Sequence, residues 1–239
     1  MPQQPASSSM SPTWLVLTGA TGAVGQAVAT AWRGAGGLVL GVSRAPGGTG
    51  CDDWVVGDLR SPWAVADRVR TALDQRPVGA LVHAAGVVYA DEALHTTPDE
   101  WDQTMAVNLT AAFALARTIA PILTAPQGVV LVGSIDAHLA PRDGPDAAYG
   151  AAKAGLLGLA RHLAVEWGPV GTGVNVVLPG PMTTGMGVSV GTAAAGAAGA
   201  ADKQWTSPEE VTAAIMFLLR ARGVTGQALA VDHGWQLGY

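Results

Sequence analysis

Tyr149 and Lys153 stand four residues apart in "AAYGAAK", inside a stretch whose pattern predicts a helix. That spacing places both side chains on one helix face. Taken alone, such a pair is a common feature of helix surfaces. As a site, it sets an ammonium beside a phenol, lowering the phenol pKa toward general acid/base work. Ser134 ends the apolar run "GVVLVGS", where its hydroxyl can either cap the next turn or hydrogen-bond a substrate oxygen. A third chemical feature is "TGATGAVG" (18–25), directly after the apolar run "TWLVL". Gly19 suits a tight turn there, and Gly25 suits close packing of a following helix against a sheet. The free N–H groups of that helix suit a pyrophosphate. The spacing differs from the G-x-G-x-x-G fingerprint, so the loop by itself also reads as an ordinary strand-to-helix turn.

These residues need a scaffold, and the chain supplies a repeating one. Apolar runs at 13–18, 38–42, 54–58, 80–86, 128–134, 173–180 and 227–232 read as strands. They are continuously apolar, as expected of strands covered on both faces. Helical patterns intervene at 24–34, 62–76, 98–123, 147–168 and 208–221. Ser61 and Ser207 each precede a proline, which marks them as N-caps. The alternation predicts an α/β fold, a Rossmann-like doubly wound parallel sheet of about seven strands in a single domain. Ligands of such sheets bind beyond the carboxyl ends of the strands, where each of these motifs falls. The expected organisation is a disordered tail over 1–12 and one domain over 13–239. The segment 185–204 is rich in small residues and without period, so a lid is expected at about 182–206.

Composition limits the remaining options. With 49% hydrophobic and 13% charged residues, 239 residues build a sizeable core. A net charge of −5 without a basic run disfavours nucleic acid. No run reads as long enough to span a membrane, and the N-terminus lacks the features of a secretory signal. Cys51 is the single cysteine, which excludes an intrachain disulfide and fits a cytoplasmic setting. No metal site is expected.

Taken together, "TGATGAVG", "HAAG" (83–86), "VNL" (107–109), Ser134, "YGAAK" and "LPGPMTT" (178–184) resemble the short-chain dehydrogenase/reductase family. The likeness is to its single-domain members, such as the 3-oxoacyl-carrier-protein reductases, and extends from about residue 13 to "GQALAVDHGW". It implies a tetrad of Asn108, Ser134, Tyr149 and Lys153. Tyr149 would exchange the proton, Ser134 would polarise the substrate oxygen, and Lys153 would lower the Tyr149 pKa and hold the nicotinamide ribose. Asn108, at a helix kink, would hold a water that links Lys153 to solvent. The same resemblance implies a cofactor shell of Gly19, Thr21, Gly22, Val24, Gly25, Asp58, Leu59, Ala85, Gly86, Pro179, Gly180 and Thr184. At the end of the second strand stand Ser43 and Arg44, where an acidic residue would select NAD. NADP(H) is therefore expected, with NAD(H) as the alternative.

The expected reaction is hydride transfer between NADPH and a small ketone or secondary alcohol. An NAD-dependent alcohol dehydrogenase and a non-catalytic dinucleotide sensor are the other readings. Ile135, Asp136, His138, Val87, Tyr89, Met182 and Trp205 are the expected pocket walls, and a homotetramer or dimer is implied. Three departures stand out. Ala23 replaces a usual glycine, His83 replaces a usual asparagine, and His233 stands where a glycine is usual.

Overall fold

The computed structural model describes residues 12–47, 50–89, 92–124, 128–140, 146–184 and 204–238. The expected tail and most of the expected lid therefore lie outside the described residues. Seven parallel strands form one sheet: β1 Trp14–Thr18, β2 Leu38–Ser43, β3 Asp53–Val56, β4 Val78–His83, β5 Val129–Val132, β6 Val174–Pro179 and β7 Ala228–Val231. Their order is β3-β2-β1-β4-β5-β6-β7, so the winding reverses between β1 and β4. In register, Thr18 pairs with His83, which sets the last residues of both strands side by side at that reversal.

Among the described residues six helices cover the sheet: α1 Ala23–Gly34, α2 Pro62–Ala72, α3 Pro98–Met105, α4 Ala111–Ile119, α5 Ala147–Trp167 and α6 Pro208–Arg220. Alternation along β1 shows how both faces are filled. Leu15 and Leu17 join Val28, Trp32 and Ile215 of α1 and α6, while Val16 joins Val69, Leu115 and Leu156 of α2, α4 and α5. Residues on both faces of the inner strands thus meet helices, which is why those strands carry no polar alternation, while Val56 of β3 and Leu229 of β7 stay exposed at the sheet edges.

Helix ends follow local chemistry, with corrections to the sequence reading. Ser207 forms a full capping box with Glu210 on α6. Ser61 forms no side-chain cap on α2, and that helix ends at Ala72 rather than 76. The expected helix 98–123 is interrupted by a π turn at Ala106–Thr110 and closes in a 3-10 turn at Ala120–Ile122. Contrary to the expectation of no membrane-length run, Pro98–Ile122 is long and apolar enough to cross a membrane by length and composition alone. Its Ala111, Ala112, Leu115 and Ile119 are buried in the core.

Candidate active site

Tyr149 is placed by the first turn of α5. Asp146 caps that helix by accepting from the Tyr149 N–H at 2.9 Å, which fixes where the phenol leaves the backbone. Lys153, one turn on, is buried, and its Nζ lies 5.4 Å from the Tyr149 ring centre. It donates to the Val132 carbonyl at 2.9 Å. Burial brings the Lys153 pKa down to about 8, against an opposing pull from Asp136. Ser134 caps the short turn Ile135–Ala137 that follows β5, and its hydroxyl lies near enough to Tyr149 to pull the phenol pKa down. Ser134, Tyr149 and Lys153 are therefore brought together at the carboxyl end of β5.

The expectation of a lowered phenol is corrected. Burial, and then the Asp136 charge, push Tyr149 well above its ordinary value, and the nearby Ser134 hydroxyl opposes them only in part. Lys153 is engaged by the main chain instead.

Asn108 lies in the π turn, at the break the resemblance implied. Its Nδ2 donates to Val87 O at 2.9 Å and to Thr104 O at 3.0 Å, while its Oδ1 accepts from the Val87 N–H at 3.3 Å. The amide is thus used to tie the post-β4 segment to the opened helix.

His83 does the matching work from the sheet. Its Nε2 donates to the Val107 carbonyl at 3.1 Å, and its Nδ1 accepts from the Thr18 hydroxyl at 3.0 Å. Thr18 in turn accepts from the Ala85 N–H at 3.1 Å. Both His83 ring nitrogens and the Thr18 hydroxyl thus have partners. The ring is fully buried, and burial together with the Lys153 charge lowers its pKa to about 3. In the unfolded chain the ring takes a proton below its ordinary 6.5, whereas the folded ring does not. The stability it contributes is complete above pH 6.5 and is lost as pH falls toward 3. Unfolding midpoints at pH 7 and pH 5 are expected to differ less in His83→Asn than in the native chain, and equal differences would refute this role.

The glycine loop fits a dinucleotide by its packing. Gly19 adopts φ +66°, and a Cβ there would come within 2.7 Å of the Ala84 and Ala85 backbone. A Cβ on Gly25 would lie 2.1 Å from Gly19 O. The N-cap of α1, Gly22, makes no side-chain cap, and the first turn holds no acidic residue. That leaves the uncapped N-terminus of α1 beside the sheet reversal, the donor set a pyrophosphate requires. Gly22 itself has φ −79° and ψ 166°, so the extra conformational freedom of this glycine is not used.

Other expected contacts divide. Ala85 and Gly86 follow β4, and Gly180 follows Pro179 at the end of β6, where a Cβ would strike Asp232. Thr21 and Thr184 are exposed. Val24 and Leu59 turn their side chains into the core, so they can offer a ligand only main chain. Ser43 donates its hydroxyl to Ala45 O, and Arg44 is exposed at the β2 end. Asp58 is gripped by Arg60, a residue the sequence reading passed over, at 2.6 and 2.8 Å. Together with a weaker influence from Arg44, this holds the Asp58 carboxyl below its usual range.

Among the expected pocket residues, Ile135 is a correction, because it is buried in the core at 3% exposure. Asp136 is half-buried beside Ser134, whereas His138 is exposed with Nδ1 3.3 Å from Gln236 Oε1. Tyr89 donates to Gln103 Oε1 at 2.6 Å. Met182 and Trp205 are half-buried on either side of the undescribed 185–203. The unusual His233 has φ +53°, the left-handed region a glycine would take without strain, and its Nε2 lies 3.1 Å from Glu210 Oε1. Among the described residues no group of three His, Cys, Asp or Glu side chains could hold a metal.

A parallel seven-stranded sheet with a glycine loop at its reversal and a Ser-Tyr-Lys cluster at β5 defines a short-chain dehydrogenase/reductase. Residues 20–236 match the family model described as enoyl-(acyl carrier protein) reductase, and the chain belongs to this superfamily. It is 28% identical to D-threitol dehydrogenase of Mycolicibacterium smegmatis, over 93% of this chain and 92% of that one. It is 27% identical to 3-oxoacyl-(acyl-carrier-protein) reductase FabG of Escherichia coli, over 92% and 95% respectively. A Burkholderia cenocepacia short chain dehydrogenase, solved in complex with NADP, superposes with a TM-score of 0.84 at 26% identity, covering 94% of this chain and 98% of that one.

Proposed function

We propose that this chain, as one domain over 13–239 with a lid at about 182–206, transfers a hydride reversibly between NADP(H) and a small ketone or secondary alcohol. Superfamily membership supports NAD(P)-dependent oxidoreductase chemistry in general. The observation that carries the finer reading is the gathering of Ser134, Tyr149 and buried Lys153 at the end of β5, with Lys153 Nζ 5.4 Å from the Tyr149 ring centre. The dinucleotide supplies the hydride, and the chain supplies position and a proton. Tyr149 O–H donates to the carbonyl oxygen in reduction and accepts the alcohol proton in oxidation. Ser134 donates a second hydrogen bond to that oxygen as negative charge develops. Lys153 holds the nicotinamide ribose hydroxyls and adds positive charge beside the phenol once the cofactor is in place. Gly19, Thr21, Gly22 and Gly25 cradle the pyrophosphate, and Ala85, Gly86, Pro179, Gly180 and Thr184 flank the rest.

Names among the relatives favour a hydroxylated substrate, since one is a D-threitol dehydrogenase. Half-buried Asp136 gives such a substrate a polar neighbour. The test is a panel of small ketones, sugars and polyols assayed with each nicotinamide cofactor. Turnover of a carbonyl–alcohol pair supports the reading, whereas tight dinucleotide binding without turnover across the panel favours a sensor.

Arg44 is the proposed NADP-selecting residue, with Arg60 as its neighbour at Asp58. Arg44→Ala is expected to weaken NADPH about tenfold relative to NADH, the loss of one charge-assisted hydrogen bond. Fluorescence titration measures both affinities, and equal affinities in the native chain would sink this assignment. A cytoplasmic homo-oligomer is proposed as well. Its support is that Trp101, Phe113 and Val165 are exposed on the long helices and that β7 is a sheet edge.

A further inference from the structure

Ser134 has one hydroxyl hydrogen and two lone pairs, and Asp136 engages two of the three. Its Oγ donates to Asp136 Oδ2 at 3.1 Å and accepts from the Asp136 N–H at 3.2 Å. One lone pair remains for a second donor. A substrate carbonyl oxygen has no hydrogen to give, so it competes with Asp136 for the Ser134 hydrogen. An ionised carboxylate is the stronger acceptor and wins that competition. A neutral Asp136 reverses the bond, donating its own O–H to Ser134 and freeing the serine hydrogen for the substrate.

We infer that Asp136 is a positioning residue that sets the direction of the Ser134 hydroxyl, so that carbonyl reduction is favoured when Asp136 is protonated and alcohol oxidation when it is ionised. This rests on Ser134 and Tyr149 acting as proposed above. The charged and titratable groups facing Asp136 among the described residues are Lys153 and Tyr149 of α5 and Asp146 at its cap. Burial raises the Asp136 carboxyl, Ser134 and Lys153 lower it, Asp146 raises it again, and the net direction is upward. Reductive kcat/KM therefore falls as pH rises through the Asp136 titration, while Tyr149, held far higher, stays protonated.

Asp136→Asn tests this, because the amide keeps the shape and donates to Ser134 as the neutral acid does. The variant is expected to lose that fall and, where native Asp136 is ionised, to exceed the native reductive kcat/KM about tenfold. Without the negative charge the phenol ionises more easily, so the alkaline limb of oxidation moves down by about 1 pH unit. The ligand-free protein gives a readout apart from activity. The Asp136 carboxyl carbon, followed by 13C NMR, should titrate above an ordinary aspartate and higher still in Ser134→Ala, which removes a donor to the ionised form. A native-like reductive profile in Asp136→Asn, a uniform loss of rate with unchanged profile, or a midpoint indifferent to Ser134→Ala overturns the inference. Full activity in Tyr149→Phe would instead overturn the site reading, and the carboxyl titration distinguishes the two failures.

Discussion

Tyr149→Phe is expected to lower kcat/KM by about a thousandfold while leaving dinucleotide affinity and the melting temperature near native. The substitution removes one oxygen and leaves the ring where the Asp146-capped first turn holds it. The lost hydroxyl is the proposed proton donor for a carbonyl, and it disappears without a change in the shape of the ring. Because burial and Asp136 hold the phenol above its ordinary value, the donor form persists through neutral pH. Oxidation needs the deprotonated form, so native oxidative rates should climb with pH. Steady-state kinetics in both directions and calorimetric cofactor titration measure the effect, and native-like turnover in the variant would remove Tyr149 from the reaction.

Gly25→Ala carries the second large effect, this time on the scaffold. The added methyl would sit 2.1 Å from Gly19 O and 2.8 Å from the Ala20 Cα, both backbone atoms that no rotamer change can move. Helix α1 must lift from the sheet, at a cost of about 3 kcal/mol, and dinucleotide binding should be lost with it. Gly22→Ala is the matched control. Its methyl would meet only Gly19 O, at 3.3 Å, and φ is already −79°. A loss of about 1 kcal/mol or less is expected there. Denaturant unfolding of both variants decides the matter, and similar costs would mean that the two glycines do not play these separate parts.

The sheet was legible because burial on both faces leaves a plain mark, a continuously apolar run. The Tyr149–Lys153 pair was legible because helical spacing alone puts both residues on one face. The Asn108 break was implied by resemblance, not by pattern, since "MAVNLTAA" carries no proline and no glycine pair to announce an opened turn. Hydrogen bonds that close over long sequence distances left no mark either. His83 reaches Thr18 across 65 positions, and only the folded register makes them neighbours. The raised phenol was also hidden, because it depends on how deeply the ring is buried and on where the Asp136 side chain points rather than on spacing. Ile135 fell on the wrong side of its segment for a similar reason: adjacency in sequence does not say which side chain turns inward.

The π turn at Ala106–Thr110 gives one rod two rotational settings. An extra residue in a turn advances everything downstream by about 100°. Asn108, inside the turn, addresses the post-β4 segment, while past the turn Phe113 meets Trp63 edge-on at 6.1 Å, on α2. The half of the rod that serves chemistry and the half that serves packing are thus indexed separately. Deleting a residue within the turn would bring them back into one phase, and no single side-chain change could restore both alignments.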